Sequence, residues 1–313
     1  MYNTSLVYRC FGDPLTTLQE ETATLAPLRA GAIRVKMRFS PVNASDLIPI
    51  AGAYSHRITL PAIAGYEGVG VVTETNGSNA NLLGTRVLPL RGSGTWQQYV
   101  DCPAELAVPV PDDIADTLAA RAWINPFAAQ MMLELYPVRG KHVLITAAGS
   151  DCAGYLAQWA RLQGAKSVTG IYRSAIHAQR LAAYGIAPLA DSDSAGIKQA
   201  AAKAAVVYDA VGGTLAETIL QAMPQDGMFI SYGLLSEEPF SIRRRLPVVH
   251  WFHIRNYLDA MPASAWQQAF VGIWDQLRNS QSSEVTLIDF HQWQQAIAQY
   301  HSAGRTVKPL LAF

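Results

Sequence analysis

Short apolar runs broken by Gly and Pro fill the first third of the chain. Leu6–Arg9, Ala32–Phe39, Gly68–Glu74, Arg86–Leu90 and Gln97–Asp101 read as strands of a barrel-like domain over residues 1–117. From Asp116 onward, longer Ala- and Leu-rich helical stretches alternate with apolar strands. That alternation predicts a parallel sheet wrapped by helices, over residues 118–270. Val206–Ala210 and Met228–Tyr232 are further strands of this sheet. Val285–Asp289, the helix-like Trp293–His301 and Pro309–Phe313 make a closing unit over residues 271–313, assigned to the first domain.

The most informative stretch runs from Lys141 to Ser174. Val143, Leu144, Ile145 and Thr146 suit an interior strand, and Ala147, Ala148 and Gly149 keep the following turn free of bulk. Leu156, Trp159, Ala160 and Leu162 recur at roughly helical spacing until Gly164 stops the helix. A second strand ends at Gly170–Ser174. Strand, small-residue turn, helix and strand make half of a dinucleotide-binding unit, which points to a redox enzyme. Gly149, Ser150, Asp151, Cys152, Ala153 and Gly154 do not spell G-x-G-x-x-G. The physical requirement is still met, because small side chains admit a pyrophosphate and a helix amino terminus favours its charge. Asp151 is the discordant residue: a second anion beside phosphate is unfavourable unless its side chain turns outward. An ordinary strand–helix turn is the competing reading of this loop.

The end of the second strand changes the picture. About 20 residues past the turn, an acid would accept hydrogen bonds from an adenosine ribose. Arg173 and Ser174 stand there instead, a cation and a hydroxyl suited to a 2′-phosphate. The reading therefore favours NADPH over NADH, with a solvated surface arginine as the alternative for Arg173.

Composition narrows the classes further. A chain of 313 residues that is 50% hydrophobic accommodates two domains. Lys plus Arg and Asp plus Glu both total 24, and the run Arg243–Arg245 is too short to make a nucleic-acid surface. No secretion-like leader or membrane-length apolar stretch stands out. Cys10, Cys102 and Cys152 are an odd, widely spaced set, which implies no disulfide framework and a reducing, cytoplasmic setting.

The ordered tags Val42-Asn43-Ala44-Ser45-Asp46, Gly52-Ala53-Tyr54, Gly65-Tyr66-Glu67-Gly68-Val69-Gly70 and Gly94-Thr95-Trp96 carry a resemblance. Asn125-Pro126-Phe127-Ala128-Ala129 and Asp209-Ala210-Val211-Gly212-Gly213 extend it across almost the whole chain. The chain resembles the medium-chain dehydrogenase/reductase superfamily, nearest its zinc-independent quinone reductases and mitochondrial-type 2-enoyl-thioester reductases. The resemblance implies a GroES-like β-rich catalytic domain, completed by the carboxyl-terminal segment, with an inserted Rossmann doubly wound α/β domain. Zinc-dependent relatives carry cysteine where Asn43 stands and histidine where Tyr66 stands. Glu67 alone is no zinc site, and His250 with His253 lacks a third ligand, so no metal is expected.

Without a metal Lewis acid, reduction of an activated alkene is easier to accommodate than alcohol oxidation: hydride reaches the β carbon while charge gathers on a carbonyl oxygen. The resemblance places the catalytic tyrosine of the enoyl-thioester reductases on Tyr54, and a nicotinamide- or substrate-facing carboxamide on Asn43. A structural tyrosine is the competing reading of Tyr54. Asp46 either orients the site or ties down its own loop, Trp96 is read as structural with an apolar cleft wall as the alternative, and Tyr66 is assigned to the core. On the cofactor side the resemblance adds Asn125, Gly212, Gly213, Tyr232 and Gly233 to Ala148–Ala153, Arg173 and Ser174. An enoyl thioester, enone or quinone is the expected acceptor, and a homodimer is expected. The alternatives are a quinone reductase with no essential tyrosine and a nucleotide sensor that has lost turnover.

Overall fold

The last strand of the chain pairs with an early one. Val307–Ala312 pairs antiparallel with Ala32–Pro41, Leu310 opposite Pro41, and in parallel with Glu284–Asp289. The order continues through Val69–Thr75, Arg86–Pro89 and Ala107–Pro109, while Tyr99–Pro103 also pairs with Ala32–Pro41. A three-stranded sheet places Tyr2–Tyr8 between Leu18–Thr24 and Ala62–Ile63. Within Ala32–Pro41 the alternation turns Ile33, Val35 and Met37 onto a core with Val72, Val87 and Val100. A second core gathers Leu6, Tyr8, Trp96, Phe290 and Trp293.

This computed structural model describes residues 1–77, 79–241, 247–258 and 260–313. The strands above belong to a unit comprising Met1–Ile124, Pro262–Arg278 and Glu284–Phe313; the other unit comprises Asn125–Met261 and Asn279–Ser283. Helix Ala263–Arg278 lies wholly in the first unit, where Trp266 packs 4.3 Å from Trp123 between ring centroids. The boundary expected at 270/271 falls inside this helix. The basic run Arg243–Arg245 lies outside the described residues.

The second unit is a six-stranded parallel sheet ordered Ala187–Ala190, Ser167–Tyr172, His142–Ile145, Val206–Asp209, Met228–Ser231, Val248–Trp251. The chain steps outward from His142–Ile145 on one side, then returns to continue on the other. That reversal creates a switch point beyond the carboxyl ends of His142–Ile145 and Val206–Asp209, where open α/β sheets take ligands. Helix Asp151–Leu162 buries Leu156, Trp159 and Ala160, but Leu162 points outward, correcting its assignment to the apolar stripe. Neither outer strand holds a fully buried residue, and the edge strand leaves Val248 59% and Trp251 62% exposed. No helix among the described residues is long and apolar enough to cross a membrane.

Candidate cofactor and active site

In the second unit the turn after His142–Ile145 starts at Ala147, held at φ 49°. Ser150 Oγ accepts the amide of Ala153 at 3.3 Å and caps helix Asp151–Leu162. A side chain at Gly149 would lie 2.7 Å from the His177 ring, which would have to shift to admit it, and Arg180 Nη2 donates to the Gly149 carbonyl at 2.7 Å. Asp151 Oδ1 accepts from Ser283 Oγ at 2.6 Å. Cys152 is buried, its thiol 3.8 Å from the Asn125 carbonyl, and Ala148 and Ala153 are buried beside it. Arg173, exposed, and Ser174, half-buried, follow directly on Ser167–Tyr172.

Across the switch point, buried Asp209 organises the next loop. Thr146 Oγ1 donates to Asp209 Oδ1 at 2.7 Å and accepts the Ala210 amide at 2.9 Å. The amides of Val211 and Gly212 donate to the same carboxylate at 3.2 and 2.9 Å. Burial pushes the Asp209 carboxyl upward against these stabilising hydrogen bonds. Gly212 and Gly213 both have positive φ, and a side chain at Gly212 would meet Leu234 Cδ1 at 2.4 Å. The segment after Met228–Ser231 closes over this loop, with Leu235 donating to Ala210 at 2.9 Å and Gly213 to Glu238 at 2.9 Å.

Tyr232, which with Gly233 opens that segment, carries a buried hydroxyl with no hydrogen-bond partner among the described residues. Burial, then the neighbouring Cys152 and Asp209, push its ionisation well upward, so the phenol stays a neutral donor. An orphaned buried hydroxyl at the carboxyl ends of a parallel sheet is what a polar ligand would satisfy. The turn, the two loops and this hydroxyl fit a dinucleotide.

The first unit buries an ionic cluster. Asn43 precedes helix Ala44–Ile50, and its amide is engaged at both ends: Lys308 Nζ donates to Oδ1, and Nδ2 donates to Glu67 Oε1 at 2.7 Å. Glu67 Oε2 accepts the amides of Trp123 at 3.0 Å and Ile124 at 2.8 Å. Asp46 accepts the amides of Asn43 at 2.8 Å and Tyr66 at 3.0 Å, and so ties down its own loop. Burial, then the charge of Glu67, push the Asp46 carboxyl up to about 7; burial raises Glu67 likewise, and Lys308 opposes both shifts. Tyr66, assigned to the core, is half-buried. Trp96 is fully buried, Nε1 donating to the Pro41 carbonyl at 3.2 Å, as a structural residue does.

Tyr54 lies beyond this helix at φ 63°, ahead of the turn Ser55–Arg57, and is 41% exposed. Sequence reasoning missed Lys308 and Ser283. A lone lysine inside the apolar strand Val307–Ala312 was the available signal for the first; nothing local marked the second. Among the described residues no group of three or more His, Cys, Asp or Glu is placed to hold a metal ion.

The family model for the alcohol dehydrogenase GroES-like domain matches residues 29–112. The mitochondrial enoyl-acyl-carrier-protein reductase of Arabidopsis thaliana is 29% identical over 252 residues, 76% of this chain and 67% of that protein. Its Homo sapiens counterpart is 30% identical over 251 residues, 75% of this chain and 66% of that protein. Thus the alignments span about two thirds of these relatives' length. The crystal structure of a putative NADPH:quinone reductase from Bacillus thuringiensis matches with a TM-score of 0.93 and 30% identity, over 100% of this chain and 99% of that one. A complex of Etr1p with NADP and crotonyl-CoA, 21% identical, shares the fold with a TM-score of 0.82 over 100% of both chains. A GroES-like domain, a parallel dinucleotide-type sheet and full-length similarity to such a reductase agree: the chain belongs to the medium-chain dehydrogenase/reductase superfamily, in its enoyl reductase and quinone reductase branch.

Proposed function

We propose that the chain is a zinc-independent, NADPH-dependent reductase of activated carbon–carbon double bonds, such as those of enoyl thioesters or enones. The observation that carries the nucleotide reading is the buried Tyr232 hydroxyl, without a hydrogen-bond partner among the described residues and neighboured by Asp209 and Cys152. The backbone of residues Ala148–Ala153, at the start of helix Asp151–Leu162, would hold the pyrophosphate, with the Asp151 carboxylate turned to Ser283. Arg173 and Ser174 would take the ribose 2′-phosphate, and Asn125, Gly212, Gly213, Tyr232 and Gly233 the nicotinamide side. When bound, NADPH supplies the hydride.

The chain's own residues supply the rest. The Tyr54 hydroxyl acts in one of two ways: it donates a hydrogen bond to the substrate carbonyl oxygen as charge gathers there while solvent protonates the α carbon, or it gives its own proton to the α carbon and is reprotonated from solvent. Asn43 holds the loop behind the chemistry through Glu67 and Lys308. Zinc independence is supported by the donor chemistry: an amide already bonded to an ammonium, a half-buried tyrosine and one carboxylate make a poor zinc site. The exposed edge strand Val248–Trp251 supports a homodimer, which sedimentation velocity reads directly. The unpaired cysteines fit a reducing, cytoplasmic setting, tested by fractionation of cells making the full chain.

Tyr54→Phe tests the chemistry. Hydride transfer in stopped-flow is expected to fall by about 10²–10⁴-fold, the range of a lost general acid, with NADPH affinity nearly intact. Unchanged turnover would remove Tyr54 from the reaction. The similarity to the Bacillus thuringiensis protein favours a second reading, quinone reduction without an essential tyrosine. A kinetic panel of trans-2-enoyl thioesters, enones and quinones with NADPH separates the two; binding of NADPH with no consumption would mark a sensor instead.

A further inference from the structure

Residues 280–283 run antiparallel along one face of helix Asp151–Leu162, bonded at successive turns. Trp159 Nε1 donates to Ser280 Oγ at 2.8 Å, and Gln158 exchanges bonds with the Gln281 backbone, both at 2.9 Å. Tyr155 and Ser282 share a hydroxyl–hydroxyl bond at 2.8 Å. The last contact is Ser283 Oγ donating to Asp151 Oδ1 at 2.6 Å. A small cavity beside the turn is lined by Ala148, Ser150, Asp151, Arg180, Ser282 and Ser283, so this last bond stands at the wall of the phosphate-binding turn.

Asp151 is the first residue of the helix after its cap. A carboxylate there suits the helix dipole but repels any phosphate brought to the same amides. The Ser283 hydroxyl offers it a competing partner on the strap, which orients the carboxylate and spreads its charge. We propose that Ser283 is a positioning residue for the cofactor: by holding Asp151 it sets how tightly the turn accepts the dinucleotide's phosphates. This rests on the NADPH reading above.

The test is NADPH titration, followed by calorimetry or nucleotide fluorescence, of the full-length wild type, Ser283→Ala, Ser283→Thr, Asp151→Asn and the Ser283→Ala/Asp151→Asn double variant. Loss of one hydrogen bond to a charged group predicts that Ser283→Ala weakens binding about five- to tenfold at low salt. Added salt should shrink that loss, because the released charge is then screened. Ser283→Thr should restore affinity. Asp151→Asn should bind at least as tightly as wild type, and in that background Ser283→Ala should change the dissociation constant less than about twofold. An equal loss in both backgrounds would assign Ser283 a merely structural role and overturn the inference, as would no loss in either. Wild-type protein that ignores NADPH would overturn the nucleotide reading and this inference with it, an outcome plainly distinct from the other two.

Discussion

Replacing Lys308 by methionine keeps the length of the side chain and removes one buried charge. Lys308 is 3% exposed, donates to Asn43, and opposes the burial-driven upward shifts of Asp46 and Glu67. Its loss leaves two buried carboxyl groups without their cation and one amide oxygen without this donor. Breaking a buried pair from one side costs about 3–5 kcal/mol. For a domain of this size that lowers the melting temperature by roughly 6–20 °C. The sign with pH follows from the raised carboxyl groups. The native state holds their protons more tightly than the unfolded chain does, so their contribution is fully present below the ordinary carboxylate range. It is lost as pH rises through about 7 for Asp46. Removing the cation raises both carboxyls further, so the variant's deficit against wild type should widen from pH 5.5 to pH 8. Denaturant unfolding at both pH values measures it. A deficit that stays constant, or shrinks at pH 8, would refute the claim that the charge of Lys308 is what stabilises the cluster.

Two further outcomes follow from the second unit. Tyr232→Phe removes a hydroxyl that has no hydrogen-bond partner among the described residues, so thermal stability should hold within about 1 kcal/mol or improve, while NADPH binding weakens; a variant that melts early and binds normally would contradict this. Arg173→Ala should lower the NADPH-over-NADH ratio of kcat/KM by about tenfold or more, the scale of a lost charge-assisted phosphate contact, and an unchanged ratio would return Arg173 to the surface.

The dinucleotide-type half of the fold was legible because its signals are local. His142–Ile145 and Val206–Asp209 are buried almost throughout, and Gly164 ends its helix with a positive φ. Leu18–Thr24 escaped notice because only one of its seven residues is buried, so backbone pairing rather than apolar alternation makes it a strand. The outer strands Ala187–Ala190 and Val248–Trp251 were missed for the same reason. The difficulty posed by Asp151 was visible in the sequence, but its partner lies 132 positions away and no periodicity connects them. Lys308, 265 positions from Asn43, is the same case.

The ionic cluster raises a question that stability alone does not answer. Two buried carboxyls and an ammonium are no more stabilising than well-packed apolar side chains of similar volume, since desolvation opposes their attraction. What such a cluster does supply is directionality. Asp46 accepts two amides, Glu67 two more, and Lys308 with Asn43 joins them, so residues 43–46, 66–67, 123–124 and 308 are fixed to one another. Helix Ala44–Ile50 starts in that frame and passes through Ala51 and Gly52 to Tyr54, with Gly52 donating to Pro49 at 3.1 Å and Ala53 to Ile48 at 3.1 Å. An apolar core would tolerate small rotations of this helix; a set of amide-to-carboxylate bonds does not. The cluster therefore sets the backbone that carries Tyr54, and if Tyr54 acts as proposed, that frame is what would hold its hydroxyl at the reacting oxygen.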